Sequence, residues 1–158
     1  ILLDLKGLYK KDESTYLMGG FIFFLVGHLF YSGAIIYQTR MKWWIVLLCC
    51  LGGVVFSFAN NFMAKFMKIH FGAYRKIVFA YVIFLSITMI LSVVSFFTLG
   101  FHKNFLLLSI GTICFTASDA VLSSTFFARG KDGSFYLFIN HFLYYAGQYL
   151  IAASVLFM

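Results

Sequence analysis

Polar and apolar residues in this chain alternate on the scale of whole helices rather than single residues. Residues 14–39, 43–64, 77–102 and 133–158 contain no Asp, Glu, Lys or Arg, and residues 104–128 contain only Asp119. Each stretch is 22 to 26 residues long, and a bilayer core of roughly 30 Å needs about 20 helical residues to cross it. The pattern predicts five complete membrane spans at approximately 16–38, 43–64, 77–99, 104–128 and 134–158. Barrel strands would be shorter and would alternate apolar with polar residues. No repeat, low-complexity tract or interdomain linker interrupts the pattern, so residues 1–158 read as a single transmembrane domain, an all-α polytopic transmembrane helix bundle. The chain opens Ile1-Leu2-Leu3 rather than with Met, like the tail of an earlier apolar segment, so an N-terminal truncation is expected.

Composition agrees. The chain is 63% hydrophobic and 11% charged, against about a quarter charged in soluble domains. That excludes a soluble globular protein, a disordered chain and a nucleic-acid-binding domain. The net charge of +7 records topology, because the cations sit in the loops. Alternate loops share a side, and the Lys and Arg residues divide nine against three. The nine-positive side is expected to be cytoplasmic, with the C-terminus on the far side. Trp43-Trp44 reads as an interfacial aromatic pair opening the second span.

Other features narrow the chemistry. There is no proline, which weakens a transporter reading built on interrupted helices. The spans hold no lysine, so no retinal Schiff base is available. Cys49, Cys50 and Cys114 lack metal-ligand spacing and read as small buried apolar residues. The Gly19-Gly20 and Gly52-Gly53 pairs are expected to permit close helix contacts.

Asp119 is the sharpest signal. A carboxyl group in hydrocarbon must face a cavity, find a partner or hold its proton. An acid that keeps its proton at neutral pH suits general acid catalysis; the alternative is an Asp that ties helices together. In the fifth span Asn140, Tyr144 and Gln148 follow i, i+4, i+8 spacing and share a helix face, flanked by His141 and Tyr145. Such residues also serve as glue between helices. His28 shares a face with Tyr31 and Ser32 in the first span, and the third span adds Tyr81. Ser86 and Thr88 are expected to bond back to their own helix. At 1.5 Å rise per residue, Tyr81 and Asp119 lie roughly 10 Å from the predicted cytoplasmic side, His28, Tyr144 and Tyr145 roughly 15 Å, and Gln148 roughly 20 Å. Four spans thus bring polar groups into one layer.

Four segments resemble elements of one family. GGFIFFLVGHLFY (19–31) is similar to a G…F..GH..Y element, Tyr81 with Met89 to a Y…M element, GTICFTASDAVL (111–122) to G..F..SD..L, and YYAGQYLI (144–151) to YY.AQ.LI. Together they resemble the YhhN family, the lysoplasmalogenase-like integral membrane proteins, over nearly the whole chain from residue 16. The resemblance implies about eight spans in a full-length member, of which this chain holds the C-terminal portion. It also implies a Gly-Asp element before the histidine span. Asp4 stands close to that position without a preceding Gly, and an acid upstream of Ile1 is the alternative.

The activity implied is that of an ether-bond hydrolase. It would cleave the vinyl ether of a lysoplasmalogen, a lysophospholipid of the bilayer, to a fatty aldehyde and a glycerophospho-alcohol. Such cleavage begins with proton transfer to the β-carbon, and water captures the resulting oxocarbenium ion. The resemblance places Asp119 as the acid and Asp4, or the upstream acid, as support for the cation or the water. His28, Tyr81, Tyr144 and Gln148 would orient water and acid, and Tyr31, Ser118 and Tyr145 would contact substrate. No metal or other cofactor is called for. The expected location is the bacterial inner (cell) membrane, and oligomeric state stays open. Two readings compete. One is a non-enzymatic transporter or binding protein for a small molecule or lipid, with Asp119 binding a proton or a cationic head group. The other is a haem or quinone protein using His28 and His141.

Overall fold

The computed structural model describes residues 13–66, 69, 71–127 and 134–157. Five long helices occupy them: α1 (Glu13–Thr39), α2 (Trp43–Phe66), α3 (Arg75–Thr98), α4 (Lys103–Phe127) and α5 (Ser134–Val155), with one 3-10 turn at Gly72–Tyr74 before α3. Each apolar stretch has become one helix, because a backbone in hydrocarbon must satisfy its hydrogen bonds within its own segment. Four of the helices, α1 to α4, are long and apolar enough to cross a membrane. That differs from the expectation of five. α5 has 22 residues and no charge, so it falls short in apolarity, through Asn140, His141 and Gln148, rather than in length.

The turns follow from local chemistry. α3 ends where Gly100 adopts φ 90°, a left-handed conformation that costs glycine little. The Phe101 amide then donates to the Phe96 carbonyl at 3.1 Å, and the two rings meet edge to face at 5.0 Å. This is a Schellman ending with its accompanying apolar contact. α1 ends at Arg40, φ 46°, whose amide donates to the Ile36 carbonyl.

α3 is the centre of the bundle. It packs against α1, α2 and α4, while α5 packs mainly on α4. Ser86, Thr88, Ser92 and Ser95 are fully buried along it. Each bonds back to its own helix, as expected. Three of them also meet hydroxyls of neighbouring helices: Ser32 with Thr88 at 2.9 Å, Ser57 with Ser86 at 3.3 Å, and Ser92 with Thr112 at 2.7 Å. α3 is thus tied to α1, α2 and α4 by polar pairs shielded from lipid.

Close backbone approach replaces bulk where glycines meet. A Cβ on Gly53 would fall 2.9 Å from the Ile87 backbone nitrogen, so Gly53 seats α2 against α3. Gly52 is near Ile90, whereas among the described residues nothing approaches within 4 Å of a Cβ built on Gly19 or Gly20, so the expected close contact is not seen there. A second close approach joins α4 to α5, where a Cβ on Gly111 or Gly147 would lie within 3.0 Å of the other's carbonyl oxygen. Large apolar side chains point outward instead: Phe23, Phe30, Val55 and Phe138 are each about two-thirds or more exposed. Such a surface suits hydrocarbon surroundings.

Candidate functional site

α3 and α4 run antiparallel, and the Ser92–Thr112 pair sets their register. Eleven residues back along α3 and seven forward along α4, Tyr81 reaches Asp119, and the phenol O–H donates to Oδ2 of the carboxyl. Tyr81 is 4% exposed, and Asp119 is half-buried. The most conspicuous acid of the sequence therefore has a partner from another span.

Both residues line a cavity of about 370 Å³ over α3, between α2 and α4. Its wall on α3 is the stripe Arg75, Val78, Phe79, Val82, Leu85 and Met89, spaced to share one helix face. α4 contributes Ile113, Thr116, Ala117, Ala120 and Ser123, again one face. α2 contributes Phe56, Ser57, Asn60, Asn61, Met63 and Ala64. The Ser57–Ser86 bond fixes the α2–α3 register. Four residues on, Asn61 stands level with Val82, so the two adjacent amides share the layer of Tyr81 and Asp119. Among the described residues neither amide has a hydrogen-bond partner. The Ser57 and Thr116 hydroxyls, by contrast, donate to backbone carbonyls of their own helices.

Behind Tyr81, away from the cavity, lies an aromatic cluster. The Tyr81 ring packs on Phe21 at 5.6 Å and on His28 at 5.9 Å. Phe115, 1% exposed, touches His28, Phe24 and Tyr144. His28 is 3% exposed, and its Nδ1 has no hydrogen-bond partner among the described residues. Its ring also meets Tyr31, which is partly exposed.

The structure thus brings together His28, Tyr81, Asp119 and Tyr144 from α1, α3, α4 and α5, but splits them. Tyr81 and Asp119 face the cavity, while His28 and Tyr144 form the layer behind. Gln148 is half-buried one turn beyond Tyr144 and does not reach the cavity. Ser118, expected to contact substrate, is 1% exposed and donates to the Asn140 side-chain oxygen at 2.7 Å. Its hydroxyl joins α4 to α5. Tyr145 is 51% exposed and faces outward beside His141. His141 is exposed too, with Nδ1 at 2.7 Å from the Leu137 carbonyl, so His28 and His141 occupy different surroundings. Asp4 lies outside the described residues. Among the described residues no group of three or more His, Cys, Asp or Glu gathers as metal ligands.

Three polar residues of the cavity lining, Asn60, Asn61 and Arg75, were not singled out in the sequence. Two adjacent amides inside an apolar span were a usable signal. Arg75 gave none, because a loop cation reads as topology.

Neither the curated proteins nor the solved structures compared with the chain contain a match. The model of the YhhN family matches residues 1–155. The match covers nearly every residue of the bundle, including both sides of the Tyr81–Asp119 bond, and the chain belongs to the YhhN family.

Proposed function

We propose that the chain is a membrane-embedded hydrolase that cleaves the vinyl-ether bond of a lysoplasmalogen, releasing a fatty aldehyde and a glycerophospho-alcohol. The observation that carries this reading is the Asp119 carboxyl, held by the Tyr81 hydroxyl on the wall of a mostly apolar cavity. Family membership supports it. An apolar pocket with a few convergent polar groups is the usual form of a site for a small ligand.

The chemistry needs one proton and one water. Tyr81 donates to Oδ2, which leaves Oδ1 to carry the acidic proton. Asp119 delivers that proton to the β-carbon, and the C=C electron pair forms the new C–H bond. A lone pair of the ether oxygen generates the oxocarbenium ion. The carboxylate left behind, still held by Tyr81, faces this cation at close range in a medium that screens poorly. Water adds to the α-carbon and returns its proton to Asp119. The resulting hemiacetal collapses to aldehyde and alcohol, so acid and proton are regenerated. The Asn60 and Asn61 amides, in the same layer, orient the water. His28 backs the Tyr81 ring, and its unpartnered Nδ1 marks a second place for a polar atom. The site would act in the bacterial inner membrane, its Arg75 end toward the cytoplasm.

The test is aldehyde release by Asp119→Asn in the folded, membrane-inserted protein. Loss of general acid catalysis lowers turnover by about 10²-fold or more. Turnover near wild type would remove Asp119 from the acid role. Lipid uptake into proteoliposomes without aldehyde would favour a transport or binding protein instead.

A further inference from the structure

The cavity is graded in polarity along its length. Arg75 stands at one end, the first residue of α3. Six residues on, about 9 Å along the helix axis, lies the layer of Tyr81 and Asp119. Beyond it the lining is mainly apolar, through Leu85 to Met89 and Ile113, and the Ser57 and Thr116 hydroxyls there donate to carbonyls of their own helices. Among the described residues the Arg75 guanidinium has no carboxylate partner. A cation, an acid and an apolar end thus follow one another in a single cavity.

From this order we infer that Arg75 binds the phosphate of a single-chain, glycerol-based phospholipid, whose ether carbons then lie against Asp119 and whose chain runs toward Met89 and Ile113. The inference rests on the hydrolase reading for the position of the ether carbons, and the grading itself is independent of it. The spacing fits. Seven bonds separate the β-carbon of a 1-alkenyl chain from the phosphorus, a reach of about 8–9 Å when extended. Guanidinium forks match phosphate oxygens in two parallel hydrogen bonds. One apolar end accommodates one chain, so a single-chain lipid fits better than a two-chain one.

The test separates binding from cleavage. The probes are 1-alkyl-glycerophosphoethanolamine, whose saturated ether cannot be hydrolysed by this route, and the matching 1-alkylglycerol, which lacks the phosphate. Both are titrated into the purified chain in detergent. Wild type is expected to prefer the phospholipid by about 10-fold or more, the worth of one charge-assisted pair. Arg75→Gln should lose that preference while still binding alkylglycerol like wild type, and Arg75→Lys should retain part of it. Equal wild-type affinity for the two probes, or an undiminished preference in Arg75→Gln, would overturn the proposal whatever the variant's folding yield. So would Arg75-dependent stabilisation by inorganic phosphate alone, which would make this a free-phosphate site. A wild type that shows the preference but releases no aldehyde from the alkenyl substrate would sink the hydrolase reading and leave the phosphate subsite standing.

Discussion

Of the two carboxyl oxygens of Asp119, one accepts from Tyr81 and the other has no hydrogen-bond partner among the described residues, the one the proposed mechanism uses as the acid. Removing the phenol oxygen therefore changes the acid without emptying the wall, because the Tyr81 ring stays packed on Phe21 and His28. Tyr81→Phe should lower kcat by about 10- to 100-fold, the worth of a hydrogen bond to a charged group. KM and the unfolding temperature should hardly move. An unchanged kcat would show that the hydroxyl does not serve the acid. Asp119 and Tyr81 were legible in the sequence because polar atoms in an apolar run demand an explanation. Ser118 adjoins Asp119 in sequence but does not line the cavity, because helical geometry turns adjacent residues about 100° apart. That turn points its hydroxyl at Asn140.

For the helices, the boundaries were legible because charge ends each apolar stretch, and the observed elements follow those stretches closely. Which faces meet was not legible. A glycine pair permits close packing, but only a facing backbone uses the permission. Among the described residues Gly19 and Gly20 have no such neighbour, while Gly111 and Gly147, isolated in sequence, press α4 onto α5. Gly147→Leu should break that contact, because its Cβ would meet the Gly111 carbonyl and the Phe115 amide rather than a side chain that can rotate away. Overpacking commonly costs about 1–3 kcal/mol, and this site belongs at the upper end. Thermal unfolding in detergent should shift down by several degrees, whereas Gly19→Leu should leave it unchanged. Equal shifts in the two variants would deny the contact its role.

At the scale of the molecule, the charge pattern makes a prediction the helix packing cannot. The end of the bundle at Arg75 and Lys76 belongs to the side with nine cations, the end at His102 and Lys103 to the side with three. In intact cells a Lys76→Cys variant should therefore resist an impermeant thiol reagent until the membrane is opened, while His102→Cys reacts at once. Both positions are exposed. The reverse pattern would invert the bundle and place Arg75 on the outer face. The Gly111–Gly147 contact has a consequence for how the protein is made. α5 is the helix that falls short of a membrane span in apolarity, and the side-chain oxygen of its buried Asn140 accepts from Ser118 of α4. On its own it gains little by leaving the translocation channel for lipid. With α4 already in place, its polar face meets a prepared surface instead of hydrocarbon. Insertion of α5 is thus a packing event, and its efficiency depends on residues of α4.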